Sequence, residues 1–296
     1  MSFLQIASWN IEHLSGASRE EKAQSAYALA EHIEMAGVDI LVLQEIYVTH
    51  HDGDERRNEE LDRVCELLKE HLDSEWHYQI LRNRNAGDTS QLCCALWNTA
   101  RVEKTGHLQI DVDHQDGGDW LWDRTPHALQ FTMLMDVWKK VEGEWKKEEE
   151  AKSVVVVPLH MKSNYGGQAK SRRVRHKEAQ TLCAQLDTIR AQLDESLILI
   201  GDTNCLDAAE PAIEVFIDHG LVDLNETDSA TYWSRRYGES PFDRAFVAVD
   251  RPEFQYTRQY VLRSSDLEKH DQFLSDHYMI KISVKTYLDD ADPRGS

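Results

Sequence analysis

A single α/β domain built on mixed β-sheets is the fold class that this 296-residue sequence predicts. Short apolar runs rich in β-branched residues alternate along the chain with stretches of helical spacing. Some neighbouring strand runs follow one another as hairpins do, which mixes antiparallel pairs into the sheets. No Pro-, Gly- or Ser-rich linker is long enough to divide two domains, and no internal repeat is visible.

The elements follow in chain order. FLQIASWN (3–10) alternates apolar and polar residues and reads as a strand. Residues 19–36 read as a helix, with Ala23, Ala26, Ala30, Ile33 and Met35 near helical spacing and Gly37 as its stop. VDILVLQE (38–45) is a buried strand, HHDGDERRNEE (50–60) a polar loop and LDRVCELLKEHL (61–72) a helix. WHYQILR and QLCCALWN are strands, the second placing Cys93 and Cys94 on opposite faces. ALQFTMLMDVW (128–138) and SVVVVPLH (153–160) are strands, and the charged run KKVEGEWKKEEEAK between them reads as a solvated hairpin tip or loop. A long helix covers 171–193, a buried strand 195–202 and a helix 210–219, ended by Gly220. FDRAFVAV and DHYMIKISV close the chain as strands, and the polar tail 289–296 reads as disordered.

Composition narrows the function classes. No apolar run approaches the roughly 18 residues that span a bilayer, and MSFLQIASWNIEHL lacks a basic n-region followed by a long apolar stretch. Five cysteines without CxxC spacing read as reduced, buried thiols, which places the chain in the cytoplasm. Net charge is −20, from 33 basic and 53 acidic residues, the opposite of a generic nucleic-acid footprint. It suits a cation-dependent enzyme that carries metal to a phosphate, and equally a plain acidic surface.

The informative residues stand where apolar runs stop. SWNIE ends in Asn10, LVLQE in Glu45, VVVVPLHMKSN in His160, Lys162 and Asn164, and LILIGDTN in Asp202 and Asn204. SPFDR sets Asp243 and Arg244 at a strand start, and FLSDHYMI sets Asp276 and His277 at another. Burying such groups costs several kcal/mol, roughly, unless a partner offsets it, so a site is expected where these strand ends meet. Hard divalent cations take oxygen ligands, which Glu45, Asp202 and Asp276 can supply, with Asn10 and Asn204 as neutral oxygens or donors. His160 and His277 suit proton transfer, Asp243 can orient an imidazole, and Arg124, Lys162 and Arg244 can balance phosphate charge. No HxH, HExxH or cysteine pair argues for zinc.

WN, QE, H-x-K-S, GD-x-N and SDH, in this order from Asn10 to His277, resemble the endonuclease/exonuclease/phosphatase superfamily. The resemblance implies a four-layer α/β sandwich over 1–288, two packed mixed sheets flanked by helices with the site at one rim. It implies phosphoester hydrolysis with Mg²⁺, Mn²⁺ as a substitute and Ca²⁺ in a structural role. FDR, the strand-end histidine of VVVVPLH and Arg124 in WDRTP look like the pancreatic-type deoxyribonuclease branch. On that likeness Glu45 binds metal with Asn10 and Asp276 beside it. His160, Asp202, Asn204, Asp243 and His277 are catalytic, and Arg124, Lys162, Asn164 and Arg244 bind the substrate phosphate.

Three positions depart from that branch. Gln91 stands where a glutamate supports the first histidine, and it cannot stabilise an imidazolium by charge. Thr203 replaces the usual phenylalanine of GDFN, and Glu12 replaces an arginine that touches DNA. The expected activity is a monomeric nuclease acting on DNA or RNA, with a basic strip of Arg124, Lys162, Arg172, Arg173 and Arg244 against the net acidity. The alternatives are hydrolysis of a small or lipid phosphate ester and, in a different class, a catalytically silent binding module. No lipid anchor or membrane-inserting hairpin is evident.

Overall fold

Two six-stranded mixed sheets face each other in the computed structural model, which describes residues 3–15, 24–84, 87–142, 144–194, 196–248 and 250–285. The strands are β1 (Phe3–Leu14), β2 (Ile40–Ile46), β3 (Trp76–Ile80), β4 (Leu92–Asn98), β5 (Glu103–Gln109) and β6 (His127–Val141). There follow β7 (Glu144–His160), β8 (Leu197–Asp202), β9 (Leu221–Asp223), β10 (Asp243–Ala248), β11 (Gln259–Leu262) and β12 (Met279–Lys285). The helices are α1 (Ala26–Ala36), α2 (Glu59–Leu72), α3 (Gln168–Cys183), α4 (Leu186–Gln192), α5 (Pro211–Asp218) and α6 (Leu267–Phe273).

One sheet runs β11-β12-β1-β2-β4-β3 and the other β9-β10-β8-β7-β6-β5. Each holds a single parallel pair at its centre, β1/β2 in one and β7/β8 in the other, with antiparallel neighbours on both sides. The sequence shows no repeat, yet the two halves repeat this pairing pattern. The C-terminal ends of four central strands therefore meet at one rim.

Alternation along the strands makes the layers. Leu4, Ile6, Ile40 and Val42 of the first sheet share a core with Val154, Val156, Ile198 and Ile200 of the second. The opposite faces bury Ala7, Trp9, Leu41 and Leu43 against α1 and α2, and Val155, Val157, Leu197 and Leu199 against α3 and α5. Four layers result, the architecture expected. Cys93 points into the central core and Cys94 into an outer one, as strand alternation requires.

Several elements differ from the sequence reading. The charged run 139–152 is mostly strand: β6 and β7 pair through Val141↔Glu144 as a long ribbon, with Lys146, Lys147, Glu148 and Glu149 exposed. Charges on successive positions hid the alternation there. The expected helix 171–193 begins at Gln168 and breaks after Cys183, so that Leu182, Leu186 and Ile189 all reach one core. The polar loop 50–60 holds a small hairpin, His50–Asp52 with Glu55–Arg57, before Asn58 caps α2. The helix expected over 19–36 starts at Ala26 behind a Ser25 cap, and residues 19–23 and the tail 289–296 lie outside the described residues. Short β5, β9, β11 and α6 carried no clear periodic signal. No helix among the described residues is long and apolar enough to cross a membrane.

Candidate active site

Asn10 and Glu45 stand at the ends of β1 and β2, and His160 and Asp202 at the ends of β7 and β8. Asp243 begins β10 opposite Asp202, and His277 lies just before β12. The sequence separations are large, but the rim brings these side chains together. Asn10 Nδ2 donates to Asp202 Oδ2 at 3.0 Å and to Glu45 Oε1 at 3.3 Å. His160 Nε2 lies 3.8 Å from both Glu45 Oε1 and Asp202 Oδ2. His277 Nδ1 lies 2.8 Å from Asp243 Oδ2, and its Nε2 is 4.0 Å from Asp276 Oδ1.

Local backbone distortions aim these groups. Glu12 and His13 adopt positive φ, and the β1/β2 register shifts between Asn10 and Leu14, as at a β-bulge. Glu45 also has positive φ, 65°, where the β2/β4 register shifts. The bulge brings His13 N to 3.2 Å from Glu45 Oε2 and its ring Nε2 to 3.5 Å. His13 is thus a third histidine at the rim that the strand-end reading passed over; its only signal was a second polar residue after Asn10. Non-glycine residues in this region of φ/ψ carry strain and concentrate at functional sites.

Electrostatics separates the two expected catalytic histidines. Burial pushes His160 well below its ordinary value, and Arg124, His277 and His13 add to the effect, so the ring is neutral. Burial also opposes charge on His277, but the Asp243 carboxylate, by charge and hydrogen bond, with Asp202 and Asp276 behind it, holds the ring well above its ordinary value. Asp202 is pushed up to about 7 by burial, with His277 opposing and Asp243 reinforcing the shift. Gln91 does not reach His160 by any described hydrogen bond; its amide lies 3.2 Å from His13 Nδ1 and accepts from Arg124.

Among the described residues, two groups at this rim could hold a cation. Asp202, Asp243 and His277 place ligand atoms within 4.8 Å of one another, but the last two are engaged with each other, and a protonated ring has no lone pair to give. Glu45 and Asp202, drawn together by Asn10, offer carboxylate oxygens instead, the donor type a hard divalent ion takes. Asn10 itself turns N–H groups to the carboxylates while its Oδ1 accepts from Glu12 N, so it holds the carboxylates where a direct ligand was expected.

The remaining residues of the expected site have the following partners. Arg244 was expected on a phosphate, but it is fully buried, bonding Asp223 Oδ2 at 2.5 Å, Asn225 O at 2.9 Å and Asp228. Asn164 uses both ends of its amide, donating to Asn204 O and accepting from Arg175, which makes it a support for the Asn204 turn. Lys162 Nζ pairs with Asp123 at 3.0 Å, and Arg172 and Arg173 pair with Asp207 and Asp119. Glu12, which stands where the related branch has a DNA-touching arginine, accepts the Asp276 N–H at 3.0 Å. Thr203 is buried and donates to Phe242 O at 2.7 Å, so its hydroxyl ties β8 to the start of β10. Asn204, at φ 55°, donates its amide to Met161 O and its backbone N–H to Asp202 Oδ1. Ser275 was not singled out, yet its Oγ donates to Asn10 O at 2.6 Å and accepts from His277 N at 3.0 Å.

Solved structures with this fold are numerous, although no family model and no curated protein sequence matches the chain. An endonuclease/exonuclease/phosphatase family protein from Bacteroides thetaiotaomicron aligns with TM-score 0.61 and 18% identity over 96% of this chain and 97% of its own. D. rerio TDP2, complexed with single-strand DNA product, aligns at 0.59 and 16% over 97% and 100%. A mannosyl-6-phosphatase from B. thetaiotaomicron aligns at 0.57 and 16% over 95% and 99%. The architecture of this chain is thus that of the endonuclease/exonuclease/phosphatase fold.

Proposed function

We propose that this chain is a divalent-metal-dependent phosphodiester hydrolase that cuts DNA or RNA by water attack on phosphorus. The observation that carries the reading is the meeting of Glu45, Asn10, Asp202 and His160 at one rim with the His277–Asp243 pair. A Mg²⁺ or Mn²⁺ ion held by Glu45 and Asp202 would neutralise phosphate charge and polarise a phosphoryl oxygen. His277, charged through Asp243, donates a hydrogen bond to a phosphoryl or leaving oxygen as negative charge builds there. His160, neutral, offers Nε2 as a partner for the attacking water. Arg124, near enough to His160 to depress its basicity, supplies fixed positive charge.

The hairpin of Tyr232–Ser234 and Gly238–Ser240 supports a polynucleotide substrate. Tyr232 sits edge-on to His277 at 5.0 Å, and Trp233 N donates to Asp276 O at 2.8 Å. Its turn carries Arg235, Arg236 and exposed Tyr237, residues suited to phosphates and to base stacking. Net charge of −20 favours the second reading, a small phosphoester.

The test is hydrolysis of DNA, RNA, bis-p-nitrophenyl phosphate and phosphomonoesters with Mg²⁺ or Mn²⁺, from low to moderate salt. Excess EDTA and Glu45→Gln are each expected to remove most activity while the fold persists. Full activity in EDTA would sink the metal dependence. A phosphomonoester that outperforms every polynucleotide at all salt concentrations would overturn the nuclease reading.

A further inference from the structure

Helix α3 buries a stripe of Ser171, Val174, Arg175, Glu178, Ala179, Leu182 and Cys183. Two full charges stand in it, one turn apart, where apolar side chains would cover the same core. Charged side chains are almost never fully buried unless paired, and a paired set is often no more stabilising than apolar residues of similar volume. Their contacts give the reason for their presence.

Both side chains grip the backbone of one residue, Lys162, on its two flanking peptide groups. Glu178 Oε2 accepts the Lys162 N–H at 2.9 Å, and Arg175 NH1 donates to the Lys162 carbonyl at 2.9 Å. The other oxygen of Glu178 accepts the Trp122 N–H at 2.8 Å, and Trp122 Nε1 donates to Thr181 Oγ1 on the same helix at 2.8 Å. Trp122 has φ 53°, a conformation a tryptophan holds only where its surroundings impose it. The Nε and NH2 groups of Arg175 meet buried Glu210 in a bidentate pair, and NH1 also reaches Asn164 Oδ1 at 3.1 Å. Glu210 Oε1 in turn accepts Leu206 N at 2.9 Å.

These anchors lie directly behind the site. Lys162 follows His160 by two residues, Trp122 precedes Arg124 by two, and Asn164 supports Asn204. One carboxylate therefore joins the segment that carries His160 to the segment that carries Arg124. We propose that Glu178 and Arg175 are positioning residues that set the placement of His160 relative to Arg124 by holding the Lys162 and Trp122 peptides from beneath. Burial raises the Glu178 carboxyl to about 6, with the two N–H donors and Arg124 opposing and Asp123 reinforcing the shift, so at neutral pH it is ionised and accepts both bonds. The inference rests on the phosphoesterase reading for its effect on catalysis, but not for the anchoring itself.

Glu178→Gln preserves volume and leaves one acceptor, with an N–H group facing the second backbone N–H. The experiment measures hydrogen–deuterium exchange of peptides covering 120–125 and 160–165, together with kcat and KM on bis-p-nitrophenyl phosphate and inhibition by inorganic phosphate. The expected result is faster exchange confined to those two segments and an unchanged circular dichroism spectrum. Because His160 partners the attacking water, kcat should fall on the order of tenfold to a hundredfold, and the phosphate inhibition constant should rise by a smaller factor. Arg175→Lys, which keeps the charge opposite Glu210 but loses the fork, should give the same pattern more weakly and serves if Glu178→Gln does not fold. Wild-type exchange at both segments would overturn the proposal, as would a uniform rise in exchange with kcat unchanged. A wild-type protein inactive on every phosphoester would defeat the functional reading, while the exchange arm would still decide the anchoring.

Discussion

His277 answers to three carboxylates at once, with Asp243 on Nδ1, Asp276 on the side of Nε2 and Asp202 nearby. Their combined field is larger than the penalty of burial, so the imidazolium persists in an almost dry site. Asp243 has a second oxygen, Oδ1, that is buried without a hydrogen-bond partner among the described residues. If the pair acts as one unit, His277→Ala and Asp243→Asn should each lower kcat/KM by about 10²- to 10⁴-fold. The double variant should be little worse than the more damaged single one. Losses that add in a double-mutant cycle would show two independent groups. Arg244 makes the contrasting case, because it is equally buried next in sequence to Asp243, but Asp223 and Asp228 take up its guanidinium and its role is to hold the chain.

At the scale of elements, the site depends on how closely β7 and β8 run side by side. Their register places Leu159 beside Gly201 and His160 beside Asp202. Gly201 has φ 152°, and a Cβ built there would stand 2.1 Å from Leu159 O, a distance no methyl group can hold. The glycine lets two backbones approach directly before the two residues that face Glu45 and Asn10. Gly201→Ala should destabilise the fold by on the order of 3 kcal/mol, since the obstruction is backbone and cannot swing aside. Urea unfolding monitored by tryptophan fluorescence measures it, and a midpoint equal to wild type would show that the strands separate freely. A soluble variant should also lose activity, because His160 and Asp202 would move with the strands. The bulges at Glu12–His13 and Glu45 belong to the same account, since regular strands there would not turn both His13 and Glu45 into one cluster.

For the whole molecule, the joint between the sheets includes a histidine that must stay neutral. His127, at the start of β6, donates from Nε2 to the carbonyl of Arg82, beyond β3 of the other sheet, at 2.7 Å. That bond leaves Nδ1 as an acceptor for His107 Nε2 at 2.9 Å, so protonation of His127 would set two donors against each other. Burial lowers His127 to about 4, and the neighbouring His107 adds to the shift. The unfolded chain then binds a proton that the folded one refuses, so this contribution to stability is present above about pH 6.5 and is lost as pH falls towards 4. Its size is at most about 3 kcal/mol. Comparing wild type with His127→Gln by urea unfolding between pH 7 and pH 4 isolates it, because other titrating groups cancel in the difference. The gap between the two proteins should narrow on the acid side, and a constant gap would refute the account.

The apolar runs of this sequence are enough to say that they are strands, that their faces alternate and that Asn10, Glu45, His160, Asp202, Asp243 and His277 stand at their ends, because those properties are local. Cys93 and Cys94 divide between two cores for the same local reason. Which ends meet is not local. Asn10 and Asp202 are 192 residues apart, and their 3.0 Å contact exists only because two sheets with matching central pairs were stacked in register. The fate of each charge was likewise decided by partners from distant segments. Arg244 became an internal tie and Asn164 a support, and Arg175 and Glu178 look like ordinary charges of a solvated helix until the site loops close over them. A charged side chain carries no mark in the sequence of whether it will face water or a buried partner. That choice follows from desolvation and pairing energies, which take their values only when the tertiary structure has placed the other charge.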